Sequence, residues 1–191
     1  MGLKLSILIP SLISRAESLN ALRAELDSQA IENNLIGEVE VLTHIDNGEL
    51  SIGKKRNELL QQAKGEYTCF IDDDDEVSKD YLKLIFDALK INPDCCSLTG
   101  LITWDGEREE IFEHSINYSA YKTNEHNYPK YERYPNHLNV IKSDIAKRFS
   151  FLEINHGEDT EFATQIFNAG AIKTEAEIKE VLYHYKFKTK K

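Results

Sequence analysis

Three short apolar runs, each followed at once by a segment with helical spacing, constrain this chain more than any other feature. Lys4 to Ile9 is rich in β-favouring residues and is stopped by Pro10 and Ser11. Val39 to Ile45 ends in the polar turn Asp46-Asn47-Gly48, and Tyr67 to Ile71 runs straight into Asp72-Asp73-Asp74-Asp75. Short, continuous apolar runs of this kind read as strands buried on both faces. After the first run, Leu19, Leu22 and Leu26 recur at helical spacing between Ala16 and Glu32, with Asn33 and Asn34 as a stop. Ser51 is placed to cap a helix through Ala63, closed by Lys64 and a left-handed Gly65, and Ser78 to cap a third helix carrying Tyr81, Leu82, Ile85 and Leu89. Three strand-then-helix units in series imply right-handed crossovers and a parallel sheet covered by helices on both faces.

The second half is less regular. Ser97 to Thr103 reads as a fourth strand, with Asp105-Gly106 turning into a short antiparallel partner near Glu110 to Phe112. Asn117 to Asn136, rich in Tyr, Asn and Lys and holding Pro129 and Pro135, reads as a long loop. His137 to Ile141 fits a strand, Ser143 to Arg148 a short helix, Gly157 to Ala169 a helix closed by Gly170, and Val181 to Phe187 an extended end. No repeat or linker divides the 191 residues, so one domain is expected over 1–191.

Charge and cysteine content narrow the function classes. A net charge of −10 disfavours non-specific nucleic-acid binding, which needs a basic face. The lysines at 186, 188, 190 and 191 form a local basic patch that reads as a solvated tail, the alternative being a contact for an anionic acceptor or membrane surface. Cys69, Cys95 and Cys96 are odd in number and lack C-x-x-C spacing, which fits a reducing cytoplasm. The apolar start is too short to span a bilayer and Pro10 interrupts it, so no stable membrane insertion is expected.

In an open parallel sheet, ligands sit beyond the carboxyl ends of the strands. Four consecutive aspartates at that position repel one another and call for positive charge. Mg²⁺ or Mn²⁺ would supply it, since hard cations bridge carboxylates to substrate phosphates. Alternation along an extended segment would put Asp72 and Asp74 on one side. The competing reading is a solvated acidic loop that caps the next helix. Glu158-Asp159 opens a predicted helix; a carboxylate fixed there suits a general base, although acidic first turns are also ordinary capping chemistry.

Taken together, Ser6-Ile7-Leu8-Ile9-Pro10, Gly53-Lys54-Lys55-Arg56-Asn57, Ala63-Lys64-Gly65-Glu66-Tyr67, Phe70-Ile71-Asp72-Asp73-Asp74-Asp75 and Gly157-Glu158-Asp159 come in an order and spacing that resembles the family 2 glycosyltransferases. The resemblance implies the GT-A fold, a Rossmann-like, mostly parallel central sheet flanked by helices, with a small antiparallel portion in the second half. It implies a nucleotide-binding half to about residue 95 and an acceptor half after it. The donor would be a nucleoside-diphosphate sugar and the acceptor a hydroxyl of unassigned identity, with glycan, lipid-linked sugar and modified nucleic acid all open. By the same resemblance Pro10, Ser11, Asp46, Arg56, Asp72 and Asp73 line the nucleotide-sugar side. Asp74, with Asp72 and His184, would hold Mn²⁺ or Mg²⁺; Asp159 would be the catalytic base and Glu158 would support the acceptor. Asp75 would assist the metal site. A nucleotidyltransferase would show a glycine-rich basic loop where this chain has Pro10-Ser11-Leu12-Ile13-Ser14-Arg15. A silent sugar-nucleotide or glycan-binding domain of the same fold stays open.

Overall fold

The computed structural model describes residues 2–188. Its first sheet is built on three parallel strands, β1 (Leu5–Leu12), β2 (Val39–Asp46) and β3 (Tyr67–Phe70), with β1 in the middle. Three short strands continue it beyond β3 and are numbered below as they occur. Helix α1 (Ala16–Glu32) follows β1, α2 (Ile52–Gln62) follows β2 and α3 (Tyr81–Ala88) follows β3, as the sequence pattern requires. Alternate residues of β1 face opposite sides. Leu5, Ile7 and Ile9 enter a core with Leu22 and Leu26 of α1 and Leu82 of α3. Leu8 enters a second core with Leu59 and Leu60 of α2.

Pro10 does not end the first strand. Beyond Leu8, β1 has only β2 as a partner, and with one side unpaired a residue lacking an N–H is tolerated. Gly65 is not left-handed either; a Cβ there would lie 2.6 Å from the Ser6 backbone nitrogen, so glycine is needed for close approach to β1. Ser51 does cap α2, accepting from the Lys54 amide at 3.2 Å. Ser78 does not cap α3 with its hydroxyl, which is buried without a partner. That helix start is tied instead by Gln29 of α1, whose side-chain oxygen accepts from the Leu82 amide at 3.0 Å.

The second half forms a second six-stranded sheet and the far part of the first. After β4 (Glu76–Val77) come β5 (Cys95–Cys96), then the hairpin β6 (Leu98–Trp104) and β7 (Glu107–His114). The stretch expected as a long loop carries β8 (Lys122–Thr123) and β9 (Tyr131–Arg133), which add to the edge of that hairpin. Only β10 (Ile141–Lys142) of the expected 137–141 strand is regular, and α4 is Ser143–Ala146. Then follow α5 (Glu158–Asn168), β11 (Glu175–Ala176) and β12 (Val181–Phe187). The first sheet runs β11-β5-β10-β3-β1-β2 and the second β4-β12-β6-β7-β9-β8. Lys186 is held in β12 rather than frayed, with its amide on Asp75 and its ammonium on Glu76, whereas the lysines at 190 and 191 lie outside the described residues. Among the described residues no helix is long and apolar enough to cross a membrane.

Candidate active site

The four aspartates form a turn, not an extended segment. The Asp75 amide donates to the Asp72 carbonyl at 3.1 Å, so alternation does not apply and the four side chains diverge. Asp72 and Asp75 line one cavity of about 330 Å³, and Asp159 lines it with them. Asp74 borders the adjoining hollow against Ser18 and Leu22 of α1, which Asp75 also reaches.

The positive charge called for by this run comes from two arginines. Arg15, in the short 3₁₀ turn after β1, lies 2.7 Å from Asp73 and 3.2 Å from Asp74. Burial opposes its charge, yet these aspartates raise its pKa above the ordinary value. Asp73 is 2% exposed and also accepts from the Ser11 hydroxyl at 2.6 Å. Arg56, 3% exposed in its side chain, reaches Asp72 at 2.8 Å and Glu158 at 2.5 Å. Burial pushes the Glu158 carboxyl up and the Arg56 charge opposes that shift. Asp75 is buried, with donors from the Tyr183 hydroxyl at 2.7 Å and the Lys186 amide at 2.9 Å, and burial together with Asp72 pushes it up to about 8. The formal charge of the run is therefore largely compensated. Asp74 and Asp72 remain the accessible members, 33% and 28% exposed.

At the end of β2, Asp46 is where sequence reasoning put it, but its carboxylate is heavily engaged. Oδ1 accepts from the Lys55 ammonium and the Gly48 amide, and Oδ2 from the Leu50 amide at 2.8 Å. The Lys55 hydrogen bond holds its pKa down to about 2. Lys55 also donates to the Ser11 carbonyl at 2.8 Å, joining the ends of β1 and β2. Pro10 and Ser11 are thus strand residues, Ser11 buried beneath Asp73 instead of lining an open loop.

The first turn of α5 carries Glu158 and Asp159, preceded by Gly157 at φ 84°. Open space surrounds Gly157, so it is the left-handed backbone that favours glycine here. Glu158 turns in to Arg56 while Asp159 faces the cavity. His184 does not join them. Its neighbours Tyr183 and Tyr185 reach Asp75 and the cavity wall, so alternation along β12 places His184 on the other face with Lys186, away from Asp159. Among the described residues no three His, Cys, Asp or Glu side chains converge as a metal-ligand set.

Sequence reasoning did not single out Lys55, Arg15 or Tyr183. The one available signal was charge balance, and nothing in the chain says which of 23 Lys and Arg answers four aspartates. Trp104 packs against the edge of the main core and also stands on the cavity wall beside Phe187, ring centroids 4.5 Å apart. His137 lines the same cavity, and His156 is exposed.

The profile of glycosyl transferase family 2 matches residues 27–153, more than half of the chain. The chain belongs to glycosyl transferase family 2. Its fold is shared with TarS of S. aureus: the 1–349 crystal structure superposes with a TM-score of 0.63 at 18% identity, covering 96% of this chain and 60% of that one. The same TarS fragment in complex with UDP-GlcNAc gives 0.61 at 17% identity over 99% and 60%, and its complex with UDP gives 0.61 at 17% over 97% and 61%. At such identity the likeness establishes the GT-A fold, and this chain spans about three-fifths of those TarS structures. No curated protein matches the chain.

Proposed function

We propose that this family 2 chain transfers a sugar from a nucleoside-diphosphate sugar to an acceptor hydroxyl by one displacement that inverts the anomeric carbon. The observation that carries the reading is that Asp159 and Asp72 line one cavity although 87 positions (159 − 72) separate them in sequence. The TarS complexes with UDP-GlcNAc and UDP support a nucleotide-sugar donor.

Asp159 takes the proton of the acceptor hydroxyl as that oxygen bonds to the anomeric carbon; the bond to the diphosphate breaks and its electron pair leaves with the diphosphate. Arg56 keeps Glu158 turned inward, so one carboxylate of the pair is spent on structure and the other is open to the acceptor. Lys55 and Asp46 brace the ends of β1 and β2 for the nucleotide, and about one lone pair of Asp46 is left to accept from it.

Asp74 and Asp72 are the accessible hard-oxygen donors of the run; because they diverge, a divalent cation would be held by Asp74 alone among them, since Mg²⁺ can take a single carboxylate and complete its shell with substrate phosphates and water. His184 lies outside that set. When bound, Mn²⁺ or Mg²⁺ would neutralise charge on the departing diphosphate.

The test is hydrolysis or transfer from a panel of nucleotide sugars with Mn²⁺, before and after Asp159→Asn, alongside calorimetric binding of the nucleotide. Loss of turnover with retained nucleotide affinity is expected. Undiminished turnover in Asp159→Asn would remove the base, and absence of any turnover in the parent chain would leave a silent sugar-nucleotide-binding domain. Asp74→Ala is expected to abolish the gain in nucleotide affinity that Mn²⁺ brings; an unchanged gain would remove Asp74 from the cation site.

A further inference from the structure

One buried polar side chain on the cavity wall makes no hydrogen bond. His137 is 5% exposed, and neither of its ring nitrogens has a partner. The Phe70 amide donates to its backbone carbonyl at 2.9 Å, fixing it beside the end of β3, and its ring lies 6.1 Å from that of Phe70 and 6.5 Å from that of Phe151. Burial, with the nearby Arg56 charge, drives its pKa well below the ordinary histidine value and keeps the ring neutral. A buried polar group left unsatisfied costs about 1–3 kcal/mol, so a ligand that supplies the missing bonds recovers that cost.

The ring's protonation state restricts what that ligand presents. A neutral imidazole offers one N–H donor and one acceptor nitrogen. Phosphate and carboxylate oxygens only accept and would leave the acceptor nitrogen bare, whereas hydroxyl groups both donate and accept. The rest of the cavity agrees. Asp159 on its rim disfavours an anionic ring, while Trp104, Tyr185 and Phe187 offer flat apolar surface of the kind that covers the C–H face of a sugar. The Trp104 indole nitrogen is a second buried donor with no partner.

We propose that His137 is a specificity-determining residue that reads hydroxyl groups of an uncharged sugar ring seated between Asp159 and the aromatic wall formed by Trp104, Tyr185 and Phe187. This rests on the function proposed above, and the ring belongs to either the donor or the acceptor.

The experiment compares the parent chain with His137→Leu and His137→Gln by calorimetric titration with UDP, UDP-N-acetylglucosamine, UDP-glucose, UDP-glucuronate, GDP-mannose and dTDP-glucose in the presence of Mn²⁺. For a donor sugar, His137→Leu keeps its affinity for the bare nucleotide within about twofold but loses about tenfold of the affinity that the sugar adds. His137→Gln, which retains a donor and an acceptor, restores most of that loss. UDP-glucuronate binds at least about tenfold more weakly than UDP-glucose, reflecting like-charge repulsion at the rim. For an acceptor sugar, donor affinities stay unchanged, and the ¹⁵N resonances of the His137 ring move when free glucose, N-acetylglucosamine or maltotriose is added to the UDP complex. Without ligand, His137→Leu unfolds at the same or a higher temperature than the parent, because two unpaired polar atoms are gone; a purely structural histidine would give the opposite sign. Sugar affinities and ring resonances that ignore both the variants and the free sugars overturn the assignment, and equal binding of UDP-glucuronate and UDP-glucose overturns it for a donor sugar. If none of the six probes binds even the parent chain, the proposed function falls and this inference with it.

Discussion

The two walls of the cavity solve opposite problems. The rim at the end of the first sheet concentrates charge and neutralises it from within, each accessible aspartate facing an arginine, Asp72 with Arg56 and Asp74 with Arg15. The opposite wall, aromatic residues of the second sheet together with His137 beside the end of β3, leaves polar atoms of His137 and Trp104 unmatched. Charge compensated by the protein prepares a surface without committing it to one ligand, whereas buried polar atoms left open specify a complement. On the proposed function, the first wall would meet the diphosphate common to many donors and the second would tell sugars apart.

The largest effect that would break this contrast concerns Asp159, which belongs to the open side of its pair. Asp159→Asn is expected to lower turnover by about 10²–10⁴-fold with nucleotide affinity preserved, measured by steady-state transfer and calorimetry. A smaller loss would mean that the carboxylate shared with Arg56 does the chemistry instead.

Next comes the compensated side. Arg56→Met leaves Glu158 and Asp72 without their counter-charge, and breaking a buried pair in this way costs about 3–5 kcal/mol in urea unfolding. The raised pKa of Glu158 lets it take up a proton and brings the cost towards the lower end. A loss below about 1 kcal/mol would show the rim to be solvated rather than internally neutralised.

Acid sensitivity sharpens the other wall. Burial lowers the pKa of His114 to about 3, so below its unfolded value of about 6.5 the unfolded chain binds a proton that the fold refuses, and stability falls as pH falls. Asp75 and Glu175, raised by burial, act in the opposite sense, so the measurement is the difference between His114→Gln and the parent chain. Between pH 6 and 5 the variant should lose stability less steeply than the parent, by up to about 1.4 kcal/mol per pH unit. Parallel curves would place His114 in water.

The smallest effect tests the frame that holds both walls. Ser51→Ala removes the one hydroxyl cap on α2, the helix that carries Lys55 and Arg56, at about 1 kcal/mol in thermal or urea unfolding. Activity should fall little, because both side chains are also anchored by their ion pairs.

Much of the first half was legible because its signals are local. Ala16 to Glu32 is helical as its leucine spacing demands, Ser51 caps as a serine before a helix does, and the three apolar runs pair in parallel. The second half was less legible because strands β8, β9, β10 and β11 are two or three residues long and exist only through partners distant in sequence. Such segments carry too few residues for a period to show.

By itself, the sequence determined the element order of the first half, the family, and the placing of an acidic run and a helix opening on Glu158-Asp159 beyond the strand ends, since periodicity, caps and motifs are properties of neighbours along the chain. The tertiary structure alone decided which aspartates are spent and which are open. A turn at Asp72–Asp75 replaced the expected alternation, Arg15 and Arg56 supply compensating charge to the run, and among the described residues His184 does not converge with Asp72 and Asp74. Those outcomes depend on distances between charges and on which face of a strand is buried, and both are fixed only when remote segments pack together.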